Sequence, residues 1–102
     1  MHLDEVTVRL AHLDEERVWG AFLNDDERML AETAVNPTVR IRHVVARGLR
    51  RKLLSDLTGR PADALVFVGG EGSKPRLRMA GELDFNTSHA GDYVVVAAGT
   101  GG

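Results

Sequence analysis

The sequence predicts an α+β domain in which an antiparallel sheet packs against one long helix. Three observations carry that expectation. Residues Thr38–Thr58 place Ile41, Val45, Leu49, Leu53 and Leu57 on one ridge at helical spacing. Near the start, Val6, Val8 and Leu10 alternate with Thr7 and Arg9, the period of a strand. Late in the chain, two runs of β-forming residues flank a polar turn containing Gly91. At 102 residues this is a single domain, 1–102, with room for a modest core. An apolar fraction of 43% and a charged fraction of 27% are those of an ordinary globular protein.

Taken in order, His2–Leu10 forms the first strand. Asp14–Leu23 carries Val18, Phe22 and Leu23 at helical spacing, with Trp19 beside them, and forms a short helix. Asn24 followed three residues later by Glu27 has the form of a capping box, so a second helix starts there. It runs to about Val35 and stops before Asn36-Pro37, because a residue preceding proline is pushed out of the α region.

The long helix follows, with Gly59 as its C-terminal stop and Pro61 just beyond. Val44 and Gly48 flank its apolar ridge, while Arg40, His43, Arg47, Arg50 and Arg51 occupy the opposite arc as a solvated face. Two bases break the pattern. Arg42 falls on the apolar arc, between the directions of Leu49 and Leu53, and Lys52 falls near Ile41 and Val45. Ala64–Val68 then predicts a strand, Gly69–Pro75 a long polar turn, and Arg76–Met79 a short returning strand. Asp84–Ser88, the turn His89–Asp92 and Tyr93–Ala98 predict a closing hairpin, with Gly99–Gly102 as turn-like material.

Composition narrows the function. Without cysteine there is no disulfide framework and no thiolate metal site, which fits a reducing, cytoplasmic setting. No apolar run reaches the roughly 18 residues that span a bilayer, and Met1–Glu5 is not a signal peptide. Charge is unevenly spread: residues 1–36 carry nine acids against three Arg, whereas six bases lie between Arg40 and Lys52 with no acid among them. That polarity favours an anionic partner for the second part. With aromatic residues at 5%, base-stacking platforms are scarce, which speaks against nucleic acid.

Several chemical readings fall on spacing. Ser88-His89 with Asp92 nearby invites a hydrolase, but neighbours on a strand point to opposite faces and cannot act as nucleophile and base. His2, His12, His43 and His89 lack the spacing of metal ligands. The glycine turn matches neither a dinucleotide fingerprint nor a P-loop, and Lys74 taken alone reads as an exposed turn lysine. Arg42 is different. A guanidinium on the core side needs an anionic partner, either a ligand or an acid of the N-terminal segment, and it lies near a helix N-terminus that also favours anions.

Leu49-Arg50-Arg51-Lys52-Leu53-Leu54-Ser55, then Lys74-Pro75 after a glycine turn, then Asp84-Phe85-Asn86-Thr87-Ser88-His89-Ala90-Gly91-Asp92-Tyr93 occur here in a recognisable order. Together with Trp19 and Asp26-Glu27-Arg28 they resemble the N-terminal half of the surfactin-synthetase-activating (Sfp-type) 4′-phosphopantetheinyl transferases. Phe-Asn-x-Ser-His is the most specific part.

The resemblance implies a two-lobed α+β enzyme that transfers phosphopantetheine from coenzyme A to a serine of an acyl or peptidyl carrier protein, with Mg²⁺ assisting. Carried over, Arg42 and His89 meet coenzyme phosphates, Ser88 lies against the pyrophosphate, and Lys74 and Pro75 line the adenine and 3′-phosphate end. Ser73 replaces the usual Gly before the lysine, and Thr87 replaces an apolar residue.

The family's Gly-x-Asp-x-Glu metal motif and its Trp-x-x-Lys-Glu base segment are not present. The expectation is therefore a truncated, coenzyme-binding half without catalytic or metal residues of its own, inactive without a C-terminal half or second subunit. The alternative is a noncatalytic, self-associating relative with a structural or regulatory role. No nucleic acid or membrane partner is expected, and an apolar face left bare would make the isolated chain a homo-oligomer.

Overall fold

The computed structural model describes residues 6–69, 75–78 and 83–99. Its largest element is the helix α3, Pro37–Thr58. It begins one residue earlier than the sequence suggests because proline suits a first helical position, where its missing N–H costs nothing. Asn36 Oδ1 accepts from the Thr38 and Val39 N–H groups at 2.8 and 3.3 Å. At the other end Gly59, with φ 75°, donates its N–H to the Ser55 carbonyl at 2.8 Å.

The expected Asp14–Leu23 helix is two shorter pieces. His12 caps a 3₁₀ turn, Leu13–Glu15, and the helix α1 runs from Glu16 to Gly20. The helix α2, Asp25–Glu32, has the expected capping box: Asn24 Oδ1 accepts from Glu27 N–H at 2.8 Å and Glu27 Oε1 from Asn24 N–H at 3.3 Å. It stops short of Val35, which is 98% exposed and has nothing to pack against.

The three-stranded sheet has the order β1-β5-β4, all antiparallel: β1 is Val6–His12, β4 Asp84–Ala90 and β5 Tyr93–Gly99. The β4–β5 turn is only two residues, Gly91-Asp92, with Gly91 at φ 59°, so His89 belongs to β4 rather than to the turn. Ala11, Phe85, Val94, Val96 and Ala98 form the buried inner face and pack on Val45, Leu49 and Leu53 of α3. Burying each of these larger side chains contributes on the order of 1.5–3 kcal/mol.

The alternation in β1 is as expected, but its apolar side points away from the helix. Val6, Val8 and Leu10 lie at 66%, 53% and 58% exposure on the outer face, where the register sets Val8 and Leu10 beside Ala97 and Val95. On the inner side Arg9 extends to Asp56 of α3, Nη1 to Oδ2 2.6 Å, and Asp56 also accepts from Lys52 at 2.8 Å. Those hydrogen bonds, Lys52's before Arg9's, hold the Asp56 carboxyl below the usual carboxylate range.

A second, two-stranded sheet pairs β2, Phe67–Val68, with β3, Arg76–Leu77. The expected Ala64–Val68 strand is shortened because Ala62–Ala64 forms a 3₁₀ turn and Leu65 turns into the core. Arg51 Nη1 donates to the Ala62 and Leu65 carbonyls at 2.7 and 2.8 Å, which removes both from any strand ladder. The solvated arc expected for α3 is corrected here too. Arg51 is 2% exposed and Arg50 is largely covered, because α2 and residues 62–67 pack over that side of the helix. Among the described residues, no helix is long and apolar enough to cross a membrane.

Candidate functional site

The end of the molecule that carries the β4–β5 turn also carries the first turns of α3. Leu13 N–H donates to the Asp92 carbonyl at 2.9 Å, tying the 3₁₀ turn to the hairpin. Glu16, next along, accepts from Arg40 of α3 at 2.6 Å. His89 pairs with Val94 and therefore occupies the inner face of β4, the side toward α3, where it remains exposed at the sheet edge. Arg42 lies on the sheet-facing arc of α3 and is half-buried. Its Nε is buried without a hydrogen-bond partner, and among the described residues it forms no ion pair.

Two acids of the N-terminal segment are engaged by other arginines. Glu16 holds Arg40, and Glu27 holds Arg51 and Arg50. A positive field is left at this end. It registers on His43, whose pKa falls below its ordinary 6.5 because of partial burial first and then the neighbouring Arg47 and Arg42.

Ser88 pairs with Val95 and so lies on the outer face, with Val95 between it and Leu10, opposite His89 across the same edge strand. Nucleophile and base cannot be made from this pair. Pro75, half-buried, precedes β3. That hairpin packs through Phe67 onto Phe85, with ring centroids 5.5 Å apart. Phe85 is four residues along β4 from His89, roughly 13 Å at the rise of a strand. Lys74 lies outside the described residues. The structure thus brings Arg42 and His89 to one end and one face, puts Ser88 at that end on the other face, and leaves Pro75 with the second hairpin.

One cluster escaped sequence reasoning. Glu27 accepts from Arg51 Nε at 2.5 Å, and its other oxygen lies 3.6 Å from Arg50 Nη2. The Arg50 guanidinium sits 4.2 Å from the Phe67 ring centroid, and its Nε is buried without a partner. Burial pulls the Arg50 pKa down to about 10 against the opposing effect of Glu27, so the group remains cationic at neutral pH. The only signal in the sequence was a pair of adjacent arginines, which the helical wheel assigns to solvent.

Two clefts, of ≈ 510 and ≈ 540 Å³, lie around α1, α2 and α3, with mixed charge on their walls. Neither cleft is lined by Arg42 or His89. Among the described residues no three His, Asp or Glu side chains converge, so they form no metal site of three protein ligands.

The solved structures similar to this chain include holo-acyl-carrier-protein synthases. That of Bacillus anthracis str. Ames, in complex with CoA (3′,5′-ADP), has a TM-score of 0.71 at 16% identity, with 93% of each chain covered. That of Neisseria meningitidis has a TM-score of 0.69 at 10% identity, covering 95% of this chain and 97% of the other. The CoA complex from Chronobacterium ammoniagenes has a TM-score of 0.60 at 19% identity, with 96% of each covered. At these identities the likeness is one of fold, and it bears out the helix-on-antiparallel-sheet architecture. A comparison with curated proteins finds no match. The family described as 4′-phosphopantetheinyl transferase, N-terminal, matches residues 14–101, and that match contains α1, α2 and α3 as well as the strand bearing Ser88 and His89. The chain belongs to the 4′-phosphopantetheinyl transferase family, to its N-terminal part.

Proposed function

We propose that residues 1–102 form the coenzyme-A-binding N-terminal lobe of an Sfp-type transferase. The observation that carries this is the Arg42 guanidinium, half-buried and unpaired on the side of α3 that faces the sheet, at the end where His89 shares the face. A desolvated cation without an acid is an unfavourable arrangement unless an anion completes it. A pyrophosphate does so, with charge-assisted hydrogen bonds from both Arg42 and His89. Ser88, across the edge of β4, reaches the same ligand where it crosses that edge, and Lys74 with Pro75 receives the adenine and 3′-phosphate end. Mg²⁺, when bound, would supply charge neutralisation at the coenzyme pyrophosphate, and no described residue is assigned to hold it or to act as base for the carrier serine. On this reading the lobe alone binds and orients the coenzyme and does not transfer phosphopantetheine.

Titration calorimetry with coenzyme A tests this. The expected result is measurable binding that Arg42→Ala and His89→Ala each weaken about tenfold or more, from losing a charged hydrogen bond worth about 1.5–3 kcal/mol. Neither change should alter the unfolding midpoint by more than about 1 kcal/mol of stability, since neither side chain holds the core together. No binding by the unaltered chain, or full binding by both variants, would sink the proposal.

The outer sheet face supplies the expected partner surface. Val6, Val8, Leu10 and Tyr93 are exposed together on it, and an apolar area of that kind calls for a cover. In the complete enzyme the cover is the second lobe; in the isolated chain it is a second copy. Sedimentation should show self-association that Val8→Asp disperses, and a strictly monomeric unaltered chain would count against this surface. The carrier protein is then met by the assembled enzyme rather than by this lobe alone.

A further inference from the structure

His89 is the last residue but one of β4, beside the turn Gly91-Asp92. Among the described residues β4 pairs with β5 alone, so it is an outside strand. Its first residues are covered, since Phe85 is buried and meets the ring of Phe67. From Asn86 to Ala90 every residue is exposed. The end of such an edge hairpin frays unless something outside the hairpin ties it down.

The tie comes from His12 and the 3₁₀ turn that it caps. Leu13 N–H donates to the Asp92 carbonyl at 2.9 Å. That N–H is aimed by a turn that closes on both sides of His12. His12 Nδ1 accepts from Asp14 N–H at 3.0 Å, and Glu15 Oε1 accepts from His12 N–H at 2.7 Å. The His12 ring also meets Tyr93 edge to face, with centroids 4.9 Å apart. Tyr93 pairs with both His12 and Ala90, so it joins the cap to the residue next to His89. Ala11 is buried and Leu13 packs on the core, so the cap is itself well anchored. Caps of this kind usually fall to Ser, Thr, Asp or Asn. A histidine adds what those cannot, a ring that spans from the Asp14 N–H to Tyr93.

From this arrangement we infer that His12 is a positioning residue for His89, holding the β4–β5 turn where His89 can meet the coenzyme phosphates. The inference rests on the coenzyme reading above, but it concerns a residue that does not itself touch the coenzyme. Without the cap the end of the hairpin samples open positions, and the affinity falls with the fraction of molecules that keep it closed.

Calorimetry with coenzyme A compares three variants with the unaltered chain. His12→Ala should weaken binding about fivefold, the factor that corresponds to the loss of a helix cap. His12→Asn keeps an acceptor for the Asp14 N–H and should recover most of that loss, to within about twofold. Asn24→Ala removes a cap of the same kind from α2 and should leave the affinity unchanged. An equal loss in Asn24→Ala would show general loosening and overturn the inference. So would full affinity in a folded His12→Ala, or an asparagine variant as weak as the alanine one, and either result leaves the coenzyme reading standing. No binding of coenzyme A by the unaltered chain overturns both. Amide exchange in the unaltered chain gives a second measurement. If the cap aids binding, binding must strengthen the cap by the same factor. On saturation with coenzyme A, exchange of the Leu13 and Asp14 N–H groups should slow about fivefold more than that of the Glu27 N–H. Equal slowing at all three rejects the assignment.

Discussion

Gly48→Ala is expected to destabilise the fold by about 3 kcal/mol, the upper end of what overpacking costs. For a domain of this size that is a fall in unfolding midpoint of roughly 12 °C or more. Two effects oppose each other at this position. Alanine is the better helix former by about 1 kcal/mol, which alone would stabilise α3. Against that, a Cβ at Gly48 would stand 1.9 Å from the Trp19 carbonyl oxygen, 2.4 Å from its carbon and 2.9 Å from its Cβ. Two of those three atoms are backbone, so no rotamer change relieves the clash. The whole of α1 has to move away from α3, and it takes with it the indole of Trp19, which packs against the edge of the core. Urea unfolding of the variant decides the sign; a stability equal to or above the parent's would show that α1 sits more loosely on α3 than its contacts imply.

Arg51→Met should cost about 3–5 kcal/mol, the range for breaking a buried ion pair by removing one partner. Three acceptors lose the Arg51 donor at once: Glu27 Oε1 and the carbonyls of Ala62 and Leu65. Glu27 would keep the Asn24 N–H at 3.3 Å and the longer approach from Arg50, in a pocket where its side chain is 12% exposed. A double-mutant cycle with Glu27→Gln separates the pair from the carbonyls. If most of the loss comes from the stranded carboxylate, the double variant should be less destabilised than the sum of the singles by about 1–3 kcal/mol. Strict additivity would place the weight on the two carbonyls instead, and so on the 62–65 turn.

Much of this arrangement could be read from the residues. Asn24 and Glu27 announce their capping box by spacing alone, and Asn36-Pro37 and Gly59 mark both ends of α3, because caps are local chemistry. The pairing of β4 with β5 follows from two β-rich runs around Gly91. Arg42 is out of place on the apolar arc, and its Nε is indeed buried. What escaped is what depends on distant partners. Alternation in β1 gives the period of Val6, Val8 and Leu10 but not which side meets α3. A helical wheel describes α3 in isolation and cannot know that α2 and residues 62–67 close over Arg50 and Arg51. The extent of β4 was misjudged for a simpler reason: a two-residue turn leaves His89 paired with Val94 in the ladder.

The strand order has a consequence for how this chain acquires its shape. Val6 pairs with Gly99, so β1 finds its hydrogen-bonding partner only in β5, far along the chain. The local pieces, α2, α3 and the β4–β5 hairpin, can organise as they emerge. Closing the intervening loop carries an entropic cost that grows with its length and is recovered only when the sheet forms. Until then the N-terminal strand waits with its backbone unpaired and its valines bare. The sheet therefore closes only once β5 is available, and until then this strand is the segment most exposed to chaperones and proteases.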